Sequence, residues 1–365
     1  AVFNSRINVA KGEIKAKAQL NNNFWQSDII AANLDPAALL GQLGGVKSIS
    51  IPNLDFSANL AGNIEEIWQG VTPIRVNNLS AQWGENSFDV RGNILLANLT
   101  SQPDIAEVNL NLQAKTDLAA VPLTQIISLL PIDSNLKPKE STLTGIGEFQ
   151  GQITGKNLLT AWQKVGNIQI KGDINLANFS INERLFEPIL KGSMQAGIGQ
   201  NISLNLRGNQ DIIDLTFDPC QQNNCLLPYL PLGINIRQAF GNKTPFLAIA
   251  KRSGENLNVQ IANFPLEILK ISPTAAYNVP GIITGQVNAN LDINLFNLQG
   301  QGQLEINQPS LGNLIGEKLT ANLVYRDSIV QLQAGSLQAG ASQYNLQGLF
   351  NWQTQAIEAK LKVNQ

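Results

Sequence analysis

The feature that most constrains this chain is strict two-residue alternation held over unusually long runs. Val287, Ala289, Leu291, Ile293 and Leu295 alternate with Gln286, Asn288, Asn290, Asp292 and Asn294. Ile168, Ile170, Gly172, Ile174 and Leu176 alternate with Asn167, Gln169, Lys171, Asp173 and Asn175. Val108, Leu110, Leu112 and Ala114 do the same against Glu107, Asn109, Asn111, Gln113 and Lys115. Shorter copies occur at Ile202-Leu204-Leu206, Leu257-Val259-Ile261, Leu304-Ile306 and Phe56-Ala58-Leu60. A period of two sends successive side chains to opposite faces of a strand, so each run predicts one apolar face and one wet face. The longest runs extend over about nine to eleven residues, against about five or six for an ordinary strand.

Helical signals are sparse. Asp35-Pro36-Ala37 offers a capping residue followed by Pro at the first helical position. Pro122 to Leu130, Phe264 to Lys270 and Asn157 to Lys164 are the other candidates, with Trp162 and Phe264 placed to pin their helices over an apolar opening. Three of the four follow one grammar: strand, Pro, one or two apolar turns, then a Gly-punctuated strand such as Gly145–Gly151 or Gly281–Val287. That recurrence predicts one elongated β-array over residues 1–365, with approximate repeat units 1–60, 61–144, 145–280 and 281–365.

About twenty strands with an apolar face cannot be covered by so few helices, so the sheet must curl until its apolar face meets itself, another sheet or lipid. A transmembrane barrel wants aromatic girdles, and 5 Trp and 4 Tyr without regular placement do not supply them. A β-helix wants short fixed coils. A sandwich remains open, though its core recruits larger aromatic side chains than the smooth Leu, Ile, Val and Ala set here. The expected fold is therefore all-β: a long curled sheet forming a U-shaped groove or tube with an aliphatic interior and a few short helices.

Composition narrows function. The 365 residues contain no His, which removes the commonest general base and metal ligand. With 25 Lys+Arg against 27 Asp+Glu there is no basic footprint for nucleic acid. Polarity comes instead from 43 Asn and 32 Gln. We expect no enzyme and no cofactor. Asp211 and Asp214 could suggest paired carboxylates or a Ca²⁺ site, but Ile212, Ile213 and Leu215 make them the wet phase of a strand. Lys11, Lys15 and Lys17 could meet anionic headgroups or mark a solvated strand edge. Cys220 and Cys225 flank a polar loop that could close a disulfide in an oxidising compartment, or remain two thiols with small packing roles. Two Cys without His cannot complete a zinc site. No stretch approaches the roughly 18 to 20 apolar residues of a membrane-spanning helix. With Met194 the lone methionine, the chain reads as a piece of a longer protein whose anchor lies elsewhere.

The segment Gly302 to Gly312, followed by Leu319 to Tyr325, Ile329 to Leu332, Gly340 and Tyr344 to Gly348, resembles the repeating strands of the TamB family. So do Gly172 to Leu176, Leu190 to Met194 and Ile202 to Leu206. That group comprises the AsmA-like bridge proteins of diderm bacteria and their plastid inner-envelope relatives. The resemblance covers most of the chain as a cadence rather than a signature. It implies a taco-like sheet in the periplasm, or the plastid intermembrane space, attached to the inner membrane in the full-length protein. An outer-membrane barrel of the BamA and TamA kind would be the partner at the far end. Phospholipid transfer and outer-membrane protein assembly would be the functions, with preprotein import among the plastid relatives.

On this reading the groove carries phospholipid acyl chains along Ile168, Ile170, Ile174, Leu176, Ile202, Leu204, Leu206, Val287, Leu291, Ile293, Leu295, Leu304, Ile306, Leu323 and Leu332. The alternative for each is ordinary sandwich core. The alternatives are a scaffold or chaperone that binds client strands by β-augmentation, and a β-helical carbohydrate-active protein.

Overall fold

Alternation becomes strand almost wherever it occurs. The computed structural model describes residues 1–35, 53–67, 71–97, 104–120, 142–156, 168–197, 199–220, 229–269, 282–351 and 356–363. The first strands are β1 (Val2–Val9), β2 (Gly12–Asn21), β3 (Phe24–Leu34) and β4 (Leu54–Asn63), then the single-turn helix α1 (Ile64–Ile67). β5 (Val71–Trp83), β6 (Asn86–Ala97), β7 (Asp104–Asp117) and β8 (Leu143–Lys156) follow. Next come β9 (Gln169–Ile181), the two-residue β10 (Arg184–Leu185), β11 (Ile189–Gly197), β12 (Ile202–Arg207), β13 (Ile212–Pro219) and β14 (Tyr229–Gln238). β15 (Phe246–Ser253), β16 (Asn256–Pro265), β17 (Ile283–Asn294) and β18 (Gln299–Leu311) lead to the short β19 (Leu314–Ile315). The chain ends through β20 (Lys318–Arg326), β21 (Ile329–Ala339), β22 (Ser342–Asn351) and β23 (Ile357–Val363).

The 23 strands belong to one sheet. From β1 to β8 and from β13 to β18 each strand pairs antiparallel with the next in sequence. β18 then pairs β20, and the meander continues to β23. Among the described residues β1 pairs with β2 and β23 with β22, and the sheet is not closed into a barrel. The expectation of an all-β chain with few helices holds. Two compact units divide it: the first is 1–125, 144–177 and 191–202, the second 126–143, 178–190 and 203–365.

Phe264 and Pro265 remain in β16, and the helix expected there is reduced to a 3-10 turn, Leu266–Leu269. Pro265 still stands opposite Gln286 at the strand's end, where a missing N–H is tolerated. The helices expected at 36–40, 122–130 and 157–164 lie outside the described residues.

Several long strands change phase through a residue of positive φ. Asn33 (φ 60) and Asn263 (φ 53) sit at register shifts in β3 and β16. Both occur as Ala-Asn followed by Leu or Phe. In each, the Asn N–H is caught by a side chain of the adjoining strand, Asp55 at 2.6 Å and Asn288 at 3.0 Å. Asn178 (φ 52) and Gln308 (φ 51) use a second version. Their N–H groups reach the carbonyls of Pro188 and Glu317, across the two-residue hairpins that form β10 and β19. A bulge of this kind inserts one residue and bends the strand without losing the neighbouring ladder.

The deepest burial lies near strand ends. Leu34 packs with Ala10 and Ala31 against Val9, Ile14, Leu54 and Phe56. In the second unit Leu230, Ala250, Leu257 and Leu295 gather with Ile234, Val259, Phe296 and Cys220. Cys220 is disulfide-bonded; Cys225 lies outside the described residues.

A polar clasp holds the second unit. Asp211 was expected on a wet face, yet it is fully buried. Its carboxylate accepts the N–H groups of Glu187 (2.8 Å), Ala239 (2.6 Å) and Phe240 (3.0 Å). Glu187 Oε2 accepts in return from the Gln210 and Asp211 N–H groups, at 3.0 and 3.2 Å. Nearby, buried Arg184 donates to Gln238 at 2.7 Å and stacks over Phe246. Burial pushes the Arg184 guanidinium below its ordinary range, opposed by the charges of Glu267 and Asp211. Asp214 does lie on the wet phase and meets Arg207 at 2.7 Å. The difference arises because Asp211 precedes β13, where the chain turns inward, while Asp214 lies within it.

Asp211→Ala leaves three N–H groups without acceptors, one buried and two partly buried, each costing about 1–3 kcal/mol. It should lower stability by roughly 4 kcal/mol, read as a lower urea midpoint with an unchanged m-value. Asp211→Asn, which keeps one acceptor oxygen, should lose about half as much.

Candidate functional site: an apolar lane

Because every strand alternates, cross-strand register decides whether apolar positions meet. They do. In the second unit Leu215, Ile234, Ala250, Val259, Leu291, Gly302, Leu323, Leu332 and Gly348 stand opposite one another in turn, from β13 to β22. At the usual strand spacing that row extends on the order of 40 Å. A parallel row runs Ile213, Ile236, Ala248, Ile261, Ala289, Leu304 and Ala321. A third joins Phe264, Val287, Ile306, Leu319, Leu337 and Tyr344.

The first unit repeats the arrangement. Ile29, Ala58, Leu79, Val90, Leu112 and Gly151 form one row. Beside it Ala31, Phe56, Ala81, Phe88, Ala114 and Phe149 alternate small and aromatic from strand to strand. The aliphatic lining expected from composition is thus modified here: three of the chain's aromatics share one row, each beside an Ala that leaves room for its ring. Phe149 leans toward Gly151 and Gly172, where added Cβ atoms would lie 2.5 and 2.7 Å from its ring tip.

The expected groove residues fall into three situations. Leu291, Ile293, Leu304, Ile306, Leu323 and Leu332 are half-buried members of, or neighbours to, the rows of the second unit, and Val287 is a buried one. Leu291, Ile293 and Leu323 come together around an open hollow of about 410 Å³, with Gly300, Tyr325 and Val330. Leu295 is placed differently: it lies in the turn after β17, inside the Leu230 cluster. Ile168, just before β9, and Ile170 and Ile174 within it are half-buried, and Leu176 is buried. Ile202 and Leu204 on β12 are half-buried, while Leu206 is 1% exposed.

Ile29, Leu79, Val90, Leu215, Ile234, Tyr325 and Val330 were not anticipated. In β5 the reason is plain. Ile74 and Val76 keep one phase, the register shifts at Asn77 and Asn78, and Leu79 and Ala81 resume on the other. A paired Asn interrupting an apolar run is the signal that could have exposed the slip.

The opposite face is polar. Gln260, Asn290, Gln303, Asn322 and Gln333 stand opposite one another on consecutive strands. They surround a hollow of about 540 Å³ with Asp292 and Gln301. A larger hollow of about 730 Å³ in the first unit is edged by Asp89, Gln113, Lys115, Glu148, Gln150, Asp173 and Lys191. The first is an amide surface with a single carboxylate and the second carries both signs of charge, and neither arrangement favours an apolar ligand. Glu305 on this face meets Lys318 at 2.8 Å, and that hydrogen bond holds its carboxyl below the usual range. Of the three lysines of the early cluster, Lys11 pairs with Asp35 and Lys15 with Glu13. Among the described residues the lane is the candidate site because it joins rows of apolar side chains to partial exposure.

No protein-family model matches the chain, and no solved structure matches it. It is similar to the chloroplastic protein Substandard Starch Grain 4 of rice, Oryza sativa subsp. japonica, at 23% identity over 248 residues. The match covers 61% of this chain and 11% of the rice protein, so the chain spans about a ninth of that relative's length.

Close strand approach makes the glycines of the strands selective. A Cβ on Gly151 would fall 2.4 Å from the Lys171 carbonyl as well as against Phe149, whereas one on Gly233 would meet nothing within 4 Å. Gly151→Val should cost about 2 kcal/mol and lower the thermal midpoint. Gly233→Val, in the open, should leave the midpoint unchanged or slightly raised.

Proposed function

We propose that this chain is a non-enzymatic segment of an envelope bridge protein of the TamB and AsmA-like kind, and that its apolar lane carries phospholipid acyl chains between two membranes. The observation that carries the reading is the cross-strand alignment of apolar residues into rows that remain half-exposed. Likeness to a chloroplastic protein from among the family's plastid relatives agrees with it. The compartment would be a periplasm or a plastid intermembrane space. An inner-membrane anchor and an outer-membrane barrel partner would belong to the longer protein, of which this chain is a small share.

The physics is one of exchange. Each CH₂ exposed to water costs about 0.8 kcal/mol, so a two-chain lipid faces a barrier of tens of kcal/mol in crossing water. A chain that slides from bilayer onto Val259, Leu291 and Leu323 trades one hydrocarbon setting for another. The headgroup stays wet, and the uncharged rows offer no deep trap. The amide face opposite keeps the sheet hydrated without a strong field.

A second reading, assembly of client proteins by strand addition, is favoured by β1. Its side chains Phe3 and Ile7 are 63% and 58% exposed. Reciprocal bonds between Ala1 and Leu20 set the ladder so that Val2, Asn4, Arg6 and Asn8 turn their N–H groups away from β2. Among the described residues no strand pairs with that side of β1, so it offers a ladder to a further strand.

Lipid extraction and native mass spectrometry of the purified chain should recover bound phospholipid. Leu291→Asp and Ile293→Asp should each abolish transfer between donor and acceptor vesicles, and normal transfer by either would defeat the lane. Asn4→Pro removes an outward N–H without touching a bond to β2. It should leave lipid transfer intact, and it should abolish client binding if strand addition is the activity.

A further inference from the structure

Two stretches of the chain are built to one plan, 130 residues apart (184 to 314). β9 and β18 are both 13 residues long, and each returns through a two-residue hairpin strand in the same register. Arg184 pairs with Ile181 and Leu185 with Ser180; Leu314 pairs with Leu311 and Ile315 with Ser310. The Phe186 N–H bonds the Phe179 carbonyl just as the Gly316 N–H bonds that of Pro309. β11 and β20 then follow, nine residues each.

The two hairpins differ in what covers them. In the first, Arg184 is 4% exposed. It donates to Gln238 and to the Thr244 carbonyl, and Gln238 donates to the Leu185 carbonyl at 3.0 Å. Asn182 donates to the Ile268 carbonyl at 2.6 Å. Six strand steps lead from β9 to β16, on the order of 30 Å along the sheet. The bonds therefore hold the sheet curled, with the β10 hairpin clamped onto the ends of β14, β15 and β16. In the second hairpin Leu314 takes the place of Arg184 and is 67% exposed, beside Ile315 at 75%. Its base is fixed by the Glu317 N–H on the Gln338 carbonyl of β21, but its outer side chains stand in solvent. Leu185, the counterpart of Ile315, is 46% exposed even in the clamped copy, so Leu314 is the diagnostic position.

We propose that β19 is a second clamp, and that Leu314 and Ile315 dock onto the strands that follow β23 in the longer protein. The covered hairpin identifies this occupant. Its partners stand 53 to 86 residues further along the chain, at the ends of the third, fourth and fifth strands after β11. After β20 the third strand is β23, and the shortest of those intervals, counted from Ile315, leads beyond Gln365. The exchange of arginine for leucine sets the chemistry of the contact. A guanidinium needs acceptors, which Gln238 and Thr244 supply, whereas a leucine gains from an apolar cover. The proposal rests on this chain's being part of a longer bridge protein, and not on what the lane carries.

The test is photo-cross-linking of the longer protein in intact cells. p-Benzoylphenylalanine replaces Leu314 or, separately, Ile315, exposed positions whose replacement spares the packing. The same probe at Leu185 is the reference for a closed clamp and should link to the peptide from Gln238 to Phe246. The Leu314 and Ile315 probes should link to a peptide that follows Gln365 in the same polypeptide, leaving its mass on a denaturing gel unchanged. A link to lipid, to another protein or to a second copy would overturn the proposal. So would a Leu314 probe that links to nothing while the Leu185 probe finds its target. These outcomes do not depend on lipid transfer, so the clamp and the lane can fail separately.

Discussion

The phase of the backbone ladder is the constraint on which the rest of this structure depends. With a side-chain period of two, a slip of one residue between β17 and β18 would set Leu291 against Gln301 or Gln303 instead of Gly302. Every apolar row would then break, and amides would fall onto the apolar face. Register is thus held by the same alternation that creates the two faces. The amide-rich composition follows from this. Asn and Gln carry both donor and acceptor, so Gln260, Asn290, Gln303, Asn322 and Gln333 can stand side by side on five strands without repulsion. Like charges in the same row would oppose the pairing.

Long strands accumulate twist, and a regular ladder would not keep its phase indefinitely. The bulges at Asn33, Asn77–Asn78, Asn263 and Gln308 adjust it locally. At Asn33 and Asn263 a short side chain on the adjoining strand takes up the displaced N–H, so the adjustment costs no buried donor. Just before β13, backbone donors from two separate segments, Glu187 and Ala239–Phe240, converge on Asp211. A carboxylate serves there because it has enough acceptor sites for all of them. That buried acid is structural, and it belongs to the scaffold that sets the lane.

Strand class, strand length and the sorting of residues between two faces were legible because they are local. Val287 to Ile293 shows its phase in a window of a few residues, and Leu304, Ile306 and Leu323 could be nominated the same way. Leu295 could not be told from its predecessors, since its alternation continues past the end of β17 into the turn. Asp211 looked solvent-facing because its three donors come from distant parts of the sequence. Ile29, Leu79 and Ile234 went unnoticed where a phase slip or a short run hid the alternation.

By itself, then, the sequence determined an all-β chain with one apolar and one amide-rich face, and the absence of His, because period and composition need no partner to be read. Only the tertiary structure decided which residues oppose one another. The row from Leu215 to Gly348, the alternation of Ala and Phe from β3 to β8, and the hollow bordered by Leu291, Ile293, Gly300 and Leu323 all join residues from separate strands. Their meeting depends on the sum of every turn and bulge between them. Gly300 borders that hollow because ladder register sets Ile293 and Tyr325 on its two sides.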